Sequence, residues 1–408
     1  MPLPIVPPKA STTTEPLALH ALEYMVRRFT GRLTPAQWPG LDATHDYPHV
    51  IGNSNFRHAE FLLGRYADCL DPVALRDAFF EALLWTLTSM PDAQRRRDLT
   101  RNAANCGLGD LLRDVEFVAL TARGALDSAN VAAHVAPFIA RYGGVFQIGS
   151  GSATVAALLD IYYMRYHAIL QRVAEGRGEE LSRELLGAAG RRLIEPMPGY
   201  DVFVPLVKGW LGAEAERLYE LLCAQLPRSA SPAADSAAGR QSLARLGAHF
   251  ARDPARLALV TASIAFEADT TMTEILRLVR QRVQSWPVSQ ECRQRVLAQM
   301  ADLRSVFDGY VNASDACEHR LKPHRDLYSL AMAQMSIPRA DYAACVGLED
   351  TEPGIIALRA AGIGCAVALP NHDTAAQDYR AATALVRGGL PELILGHHAL
   401  LAGVEGAA

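Results

Sequence analysis

The sequence predicts an α/β protein: a Rossmann-like parallel sheet with helices on both faces, carrying a large all-helical insertion. Three observations predict it. From about residue 256 onward, short apolar runs alternate with helical stretches, the pattern of a parallel sheet covered on both sides. From about 16 to 195, apolar residues recur three and four apart, with no β-rich block. The breaks between these segments fall on proline and glycine clusters.

The opening stretch, "MPLPIVPPKA", suits neither element: Pro4, Pro7 and Pro8 offer no N–H to a ladder. At most a short piece around Leu3 to Val6 is expected to pair, and on one side only. "LEYMVRRF", "FRHAEFLLGRY", "LRDAFFEALLWTLTSM" and "VAALLDIYYMRYHAILQRVAEG" then read as helices, separated at "TPAQWPG", "MPDAQ" and "RYGGVFQIGSGS". A further helical stretch, about 213 to 254, has a low-complexity centre, "PRSASPAADSAAG", that reads as an exposed loop. Strands are expected in "RLALVTAS", "VFDGYVNAS", "YAACVGLED" and "GCAVALPN". Helices are expected in "TEILRLVRQRV", "DLYSLAMAQM" and "PGIIALRAAG".

Composition narrows the function. The 408 residues carry 40 Lys and Arg against 44 Asp and Glu, and a net charge of −4 does not suggest a nucleic-acid or membrane surface. Seven scattered cysteines without a CxxC pair suit reduced thiols in the cytoplasm. The start lacks a basic segment before an apolar core, so no signal peptide is expected. Tyr142 to Leu159 is uncharged, but its glycines and hydroxyls make a membrane span a poor reading.

In parallel sheets, chemistry sits at the carboxyl ends of the strands. Those ends carry Thr261, Ser263, Glu349 and Asp350. A hydroxyl there can hydrogen-bond an anion, although a strand-end threonine more often caps a helix. In "RLKPHRDLY", Pro323 forces Lys322 out of the helical region onto a loop, where its charge can meet a phosphate or carboxylate. Adjacent carboxylates on a loop, as in "GLEDTEPG", suit a hard cation such as Mg²⁺. The run "QRRRDLTR" holds Arg95, Arg96, Arg97 and Arg101, which read as a solvated face, or as forks on an anionic substrate. His45 and His49 flank Asp46, but Pro48 makes "DYPHV" a loop, and the "GHH" of His397 and His398 a solvated tail.

Those motifs, in that order, closely resemble the haloacid dehalogenase (HAD) superfamily, in its β-phosphoglucomutase and phosphoglycolate-phosphatase-like branch. The match runs from "PMPGYDVFVPLVKGWL" through "LALVTAS", "FDGYVNASD" and "KPHRDLY" to "GLEDTEPGIIALRAAGIGCAVAL". The resemblance implies a HAD core with a helical cap inserted after its first strand: residues 1–15 the first strand region, 16–195 the cap, 196–400 the core. It implies a Mg²⁺-dependent phosphatase or phosphomutase acting on a small phosphorylated metabolite. Thr261 would bind the transferring phosphoryl group, with Ser263, Arg95 and Arg96 on the substrate. Lys322 would steady the phosphate charge. Asp350, with Glu349, would hold Mg²⁺. The family's first strand ends in Asp-x-Asp, the nucleophile and the general acid/base. Matching "TTE" (Thr13, Thr14, Glu15) to the end of that signature places the pair at about Val6 and Pro8, where neither residue is acidic. Three readings stay open: a non-catalytic relative binding a phosphorylated ligand or a protein partner, a shifted reading frame over the first dozen codons, or a substitute acid such as Asp42 or Asp46.

Overall fold

The computed structural model describes residues 4–6, 12–13, 15–42, 44–50, 55–124, 126, 130–148, 151–187, 192–227, 236–316, 320–371 and 374–397. The chain divides into two compact units, Thr14–Leu193 and Met1–Thr13 with Ile194–Ala408.

The first unit is helical. Its centre is the Pro72–Ser89 helix, buried on almost every side through Leu75, Phe79, Phe80, Leu83, Leu84 and Trp85. The Asp71 side chain caps its start, accepting from the Val73 and Ala74 N–H groups, and Pro72 occupies the first turn, where a missing N–H costs least. The Glu15–Thr30 and Ser152–Arg172 helices pack on it and on each other. A fork from Arg28 to Glu81 (2.8 Å on each oxygen) joins the first of these to the centre. One expectation is corrected here. "DYPHV" is not all loop: Tyr47–Val50 makes one helical turn, because a proline in the first turn removes an N–H that has no intrahelical partner. The charge-free stretch from Tyr142 to Leu159 is split between two helices, Val131–Tyr142 and Ser152–Arg172. No helix among the described residues is long and apolar enough to cross a membrane.

The second unit holds a six-stranded sheet. In chain order the strands of this unit are β1 (Pro4–Val6), β2 (Thr12–Thr13), β3 (Glu195–Pro196), β4 (Arg256–Val260), β5 (Gly309–Val311), β6 (Val346–Glu349), β7 (Cys365–Ala368) and β8 (Ala384–Leu385). The large sheet has the order β5-β4-β1-β6-β7-β8, and every pairing in it is parallel. β2 and β3 form a separate antiparallel pair. Leu257, Ala258, Leu259 and Val260 of β4 are all buried, as a central strand covered on both faces requires. The Asp326–Gln334 and Glu352–Ala361 helices cover one face, with Leu327, Tyr328, Ala331, Ile355 and Leu358 closing on Ala258, Val260, Ala366 and Ala368.

β1 departs from the expectation. It pairs on both sides, Pro4 and Ile5 with Arg256 and Leu257, and Ile5 and Val6 with Val346 and Gly347. Pro4 is tolerated because it is the strand's first residue, where a missing donor breaks the ladder least. Pro7 and Pro8 lie outside the described residues. So does most of the low-complexity stretch (228–235), but the Ser236–Arg252 helix begins inside it, at "SAAG".

Candidate functional site

β4, β1 and β6 are consecutive in the sheet, so their carboxyl ends share one edge. Thr261 directly follows β4, and Glu349 ends β6 with Asp350 after it. With β1 between them, β4 and β6 stand roughly 10 Å apart.

Glu349 is the most constrained group at this edge. It is 1% exposed. Lys322 Nζ and the Tyr328 hydroxyl both donate to its Oε1, and Thr351 Oγ1 donates to Oε2 at 3.3 Å. Lys322 also lies 5.2 Å from the Tyr328 ring centroid, a cation–π distance. Burial and the Glu349 carboxylate push the Tyr328 phenol well above its ordinary value, so it stays a donor. Two glycines let the Glu352–Ala361 helix approach this carboxylate. A Cβ at Gly347 would meet Leu358 Cδ2 at 2.3 Å, and one at Gly354 would meet Glu349 Oε2 at 2.1 Å.

Asp350 is held differently. Asn371 Nδ2 lies 3.5 Å from its Oδ2, and the Tyr379 hydroxyl donates to its backbone carbonyl. Thr261 is 3% exposed; its N–H donates to the Val311 carbonyl and its Oγ1 accepts the Ser263 N–H at 3.1 Å. The Ser263 carbonyl accepts from the Ala313 N–H, which ties the loops after β4 and β5 together.

The sequence-predicted residues thus divide. Lys322 and Glu349 meet directly. Thr261, Ser263 and Asp350 stand at the same sheet edge. Arg95 belongs to the helical unit and is committed there: it pairs with Asp160, stacks 4.3 Å over the Tyr163 ring, and shares Asp160 with Asn102 Nδ2 (3.0 Å). Asp160 is fully buried, and burial raises its carboxyl pKa against the pull of Arg95. Arg96, next to it, is exposed. Asp46 is also enclosed, accepting from the Asp42 N–H and the Tyr66 hydroxyl, with Arg65 3.5 Å away, while Asp42 binds the N–H groups of Thr44 and His45. Tyr328 and Thr351 went unassigned in the sequence, although both stand inside quoted motifs, "KPHRDLY" and "GLEDTEPG".

The donors fit Mg²⁺ poorly. A hard cation of this kind takes several oxygen ligands. Among the described residues no three His, Cys, Asp or Glu side chains converge that could hold a metal. Of the adjacent acids, Glu349 already has a buried ammonium and two hydroxyls on its oxygens.

No family model matches the chain, and no curated protein matches it significantly. It is similar to solved structures of CbbY from Rhodobacter sphaeroides, one in complex with phosphate and one, a mutant, in complex with xylulose-(1,5)-bisphosphate. Each has 12% identity, a TM-score of 0.44, and coverage of 96% of both chains. A structure assigned as a beta-phosphoglucomutase from Thermotoga maritima has 15% identity and a TM-score of 0.27, over 76% of this chain and 96% of that one. At these identities and TM-scores the likeness transfers no residue roles.

Proposed function

We propose that the α/β unit is HAD-like and binds the phosphoryl group of a small phosphorylated metabolite at the carboxyl edge of its sheet, with little or no turnover. The observation that carries this reading is the Lys322–Glu349 contact at the end of β6, on the same edge as Thr261 at the end of β4. Lys322 would meet the anion's charge, and Thr261 and Ser263 would supply hydrogen bonds. Binding rather than turnover follows from β1. It lies between those two strands, yet ends in Ile5-Val6 and runs into Pro7-Pro8, with no carboxylate to attack phosphorus. Losing a covalent nucleophile costs on the order of 10⁴-fold or more in rate. Because the described donors fit Mg²⁺ poorly, no step of this reading depends on the ion.

Calorimetric titration of the full chain with inorganic phosphate, alongside an aryl phosphate hydrolysis assay, tests it. Lys322→Met and Thr261→Val should abolish the same binding event, and hydrolysis should stay near background. Restoring acids as Val6→Asp with Pro8→Asp should raise hydrolysis. A wild-type chain turning over at ordinary phosphatase rates, or a phosphate response unchanged in both single variants, overturns the reading.

A further inference from the structure

Lys322 is a cation whose charge is already met. Its ammonium donates to Glu349 Oε1, which also receives the Tyr328 hydroxyl. The Lys322 side chain is 10% exposed and that of Glu349 is 1% exposed. A buried carboxylate stripped of its ammonium is strongly destabilised, so the contact persists when a ligand arrives. Lys322 then offers an anion its remaining N–H donors but no surplus charge.

The groups around the pair do not supply that charge. Among the described residues no second cation contacts Glu349 or Thr261. Arg320, on the Lys322 loop, forks onto Asp326, while His324 and Arg325 are exposed, where salt and water screen them. Burial raises the Tyr379 phenol to about 12, and the carboxylates of Asp350, Glu349 and Glu352 add to that rise. An ester oxygen that touches Lys322 stands within two hydrogen-bond lengths, roughly 6 Å, of the Glu349 carboxylate. At that range each negative charge on the ester adds a repulsion that a partly buried site screens less than water does.

We propose that this edge selects a singly charged phosphoryl group, that of a phosphodiester, over the dianion of a phosphate monoester. The proposal rests on the phosphoryl-binding reading above and narrows its ligand class.

Calorimetric titration of the full chain with methyl phosphate, methyl sulfate and dimethyl phosphate, at constant ionic strength with EDTA present, tests it. A phosphate monoester has a second pKa of about 6, so methyl phosphate is a dianion at pH 8 and mostly a monoanion at pH 5. Methyl sulfate keeps its shape and dimethyl phosphate its phosphorus, each with one charge at both pH values. At pH 8 both should bind at least tenfold more tightly than methyl phosphate. At pH 5 methyl phosphate should close most of that gap to methyl sulfate. Lys322→Met should abolish all three events and Thr261→Val should weaken all three, while the comparison among esters in wild type needs no variant to fold. Methyl phosphate binding at pH 8 as tightly as dimethyl phosphate overturns the proposal and leaves the phosphoryl reading standing. Tight methyl sulfate with no dimethyl phosphate binding likewise overturns it, since a diester is then excluded by shape. Binding of none of the three, or events unchanged in both variants, overturns the phosphoryl reading as well.

Discussion

At the residue scale, one oxygen organises the candidate site: Glu349 Oε1 receives both the Lys322 ammonium and the Tyr328 hydroxyl. Removing the acid leaves Lys322, whose side chain is 10% exposed, without its counter-charge. Glu349→Gln should therefore destabilise the protein by roughly 3–5 kcal/mol, measured by urea unfolding. A second residue-scale prediction concerns acid stability. The folded His20 pKa is about 4, below its ordinary 6.5. As pH falls below 6.5 the unfolded chain takes up a proton that the folded chain refuses until about pH 4, so this group's share of stability is present above 6.5 and is lost across that window. His20→Gln should flatten the slope of unfolding free energy against pH between 6.5 and 4. An unchanged slope would mean His20 is not buried neutral.

At the element scale, glycines decide how closely helices approach the site. Gly354 lets the Glu352–Ala361 helix sit against the Glu349 carboxylate, where a Cβ would come within 2.1 Å. Gly354→Ala should displace that carboxylate, destabilise the fold by about 1–3 kcal/mol, and weaken phosphate binding through Lys322. Gly64 is the contrast: it lies inside the Asn55–Arg65 helix with open space around it. There Gly64→Ala should raise the unfolding free energy by up to about 1 kcal/mol, since alanine loses less backbone entropy. Thermal unfolding of both variants separates packing from propensity. If both shift the same way, close approach at Gly354 is not what matters.

At the scale of the whole molecule, the sheet edge brings together residues nearly ninety positions apart, from Thr261 to Asp350, and a separate helical unit carries its own charge clusters. The edge has the donors for an anion and few ligands for a cation. Calorimetry with Mg²⁺ should accordingly show only weak binding. Tight, micromolar binding abolished by Asp350→Asn would mean that another acid completes a metal site.

Much of the architecture was legible in the residues themselves. The apolar runs ending at Val260, Val311, Glu349 and Ala368 became strands because each is short, largely buried and bounded by turn residues. The "KPHRDLY" and "GLEDTEPG" motifs marked the loop and strand end where Lys322 and Glu349 meet. β1 was harder to place. Its prolines argue against a ladder, and only the neighbouring strands, offering partners to Pro4–Val6 on both sides, make it the centre of the sheet. Arg95 looked like a surface fork until folding brought Asp160, 65 residues away, against it. Arg165 has no motif at all: that it meets His20 and Tyr24, and no carboxylate among the described residues, depends on how the Glu15–Thr30 and Ser152–Arg172 helices pack. Local pattern determines which segments are apolar and how they repeat. The pairing of a buried charge is a long-range property, set by helix and strand register, and only the tertiary structure decides it.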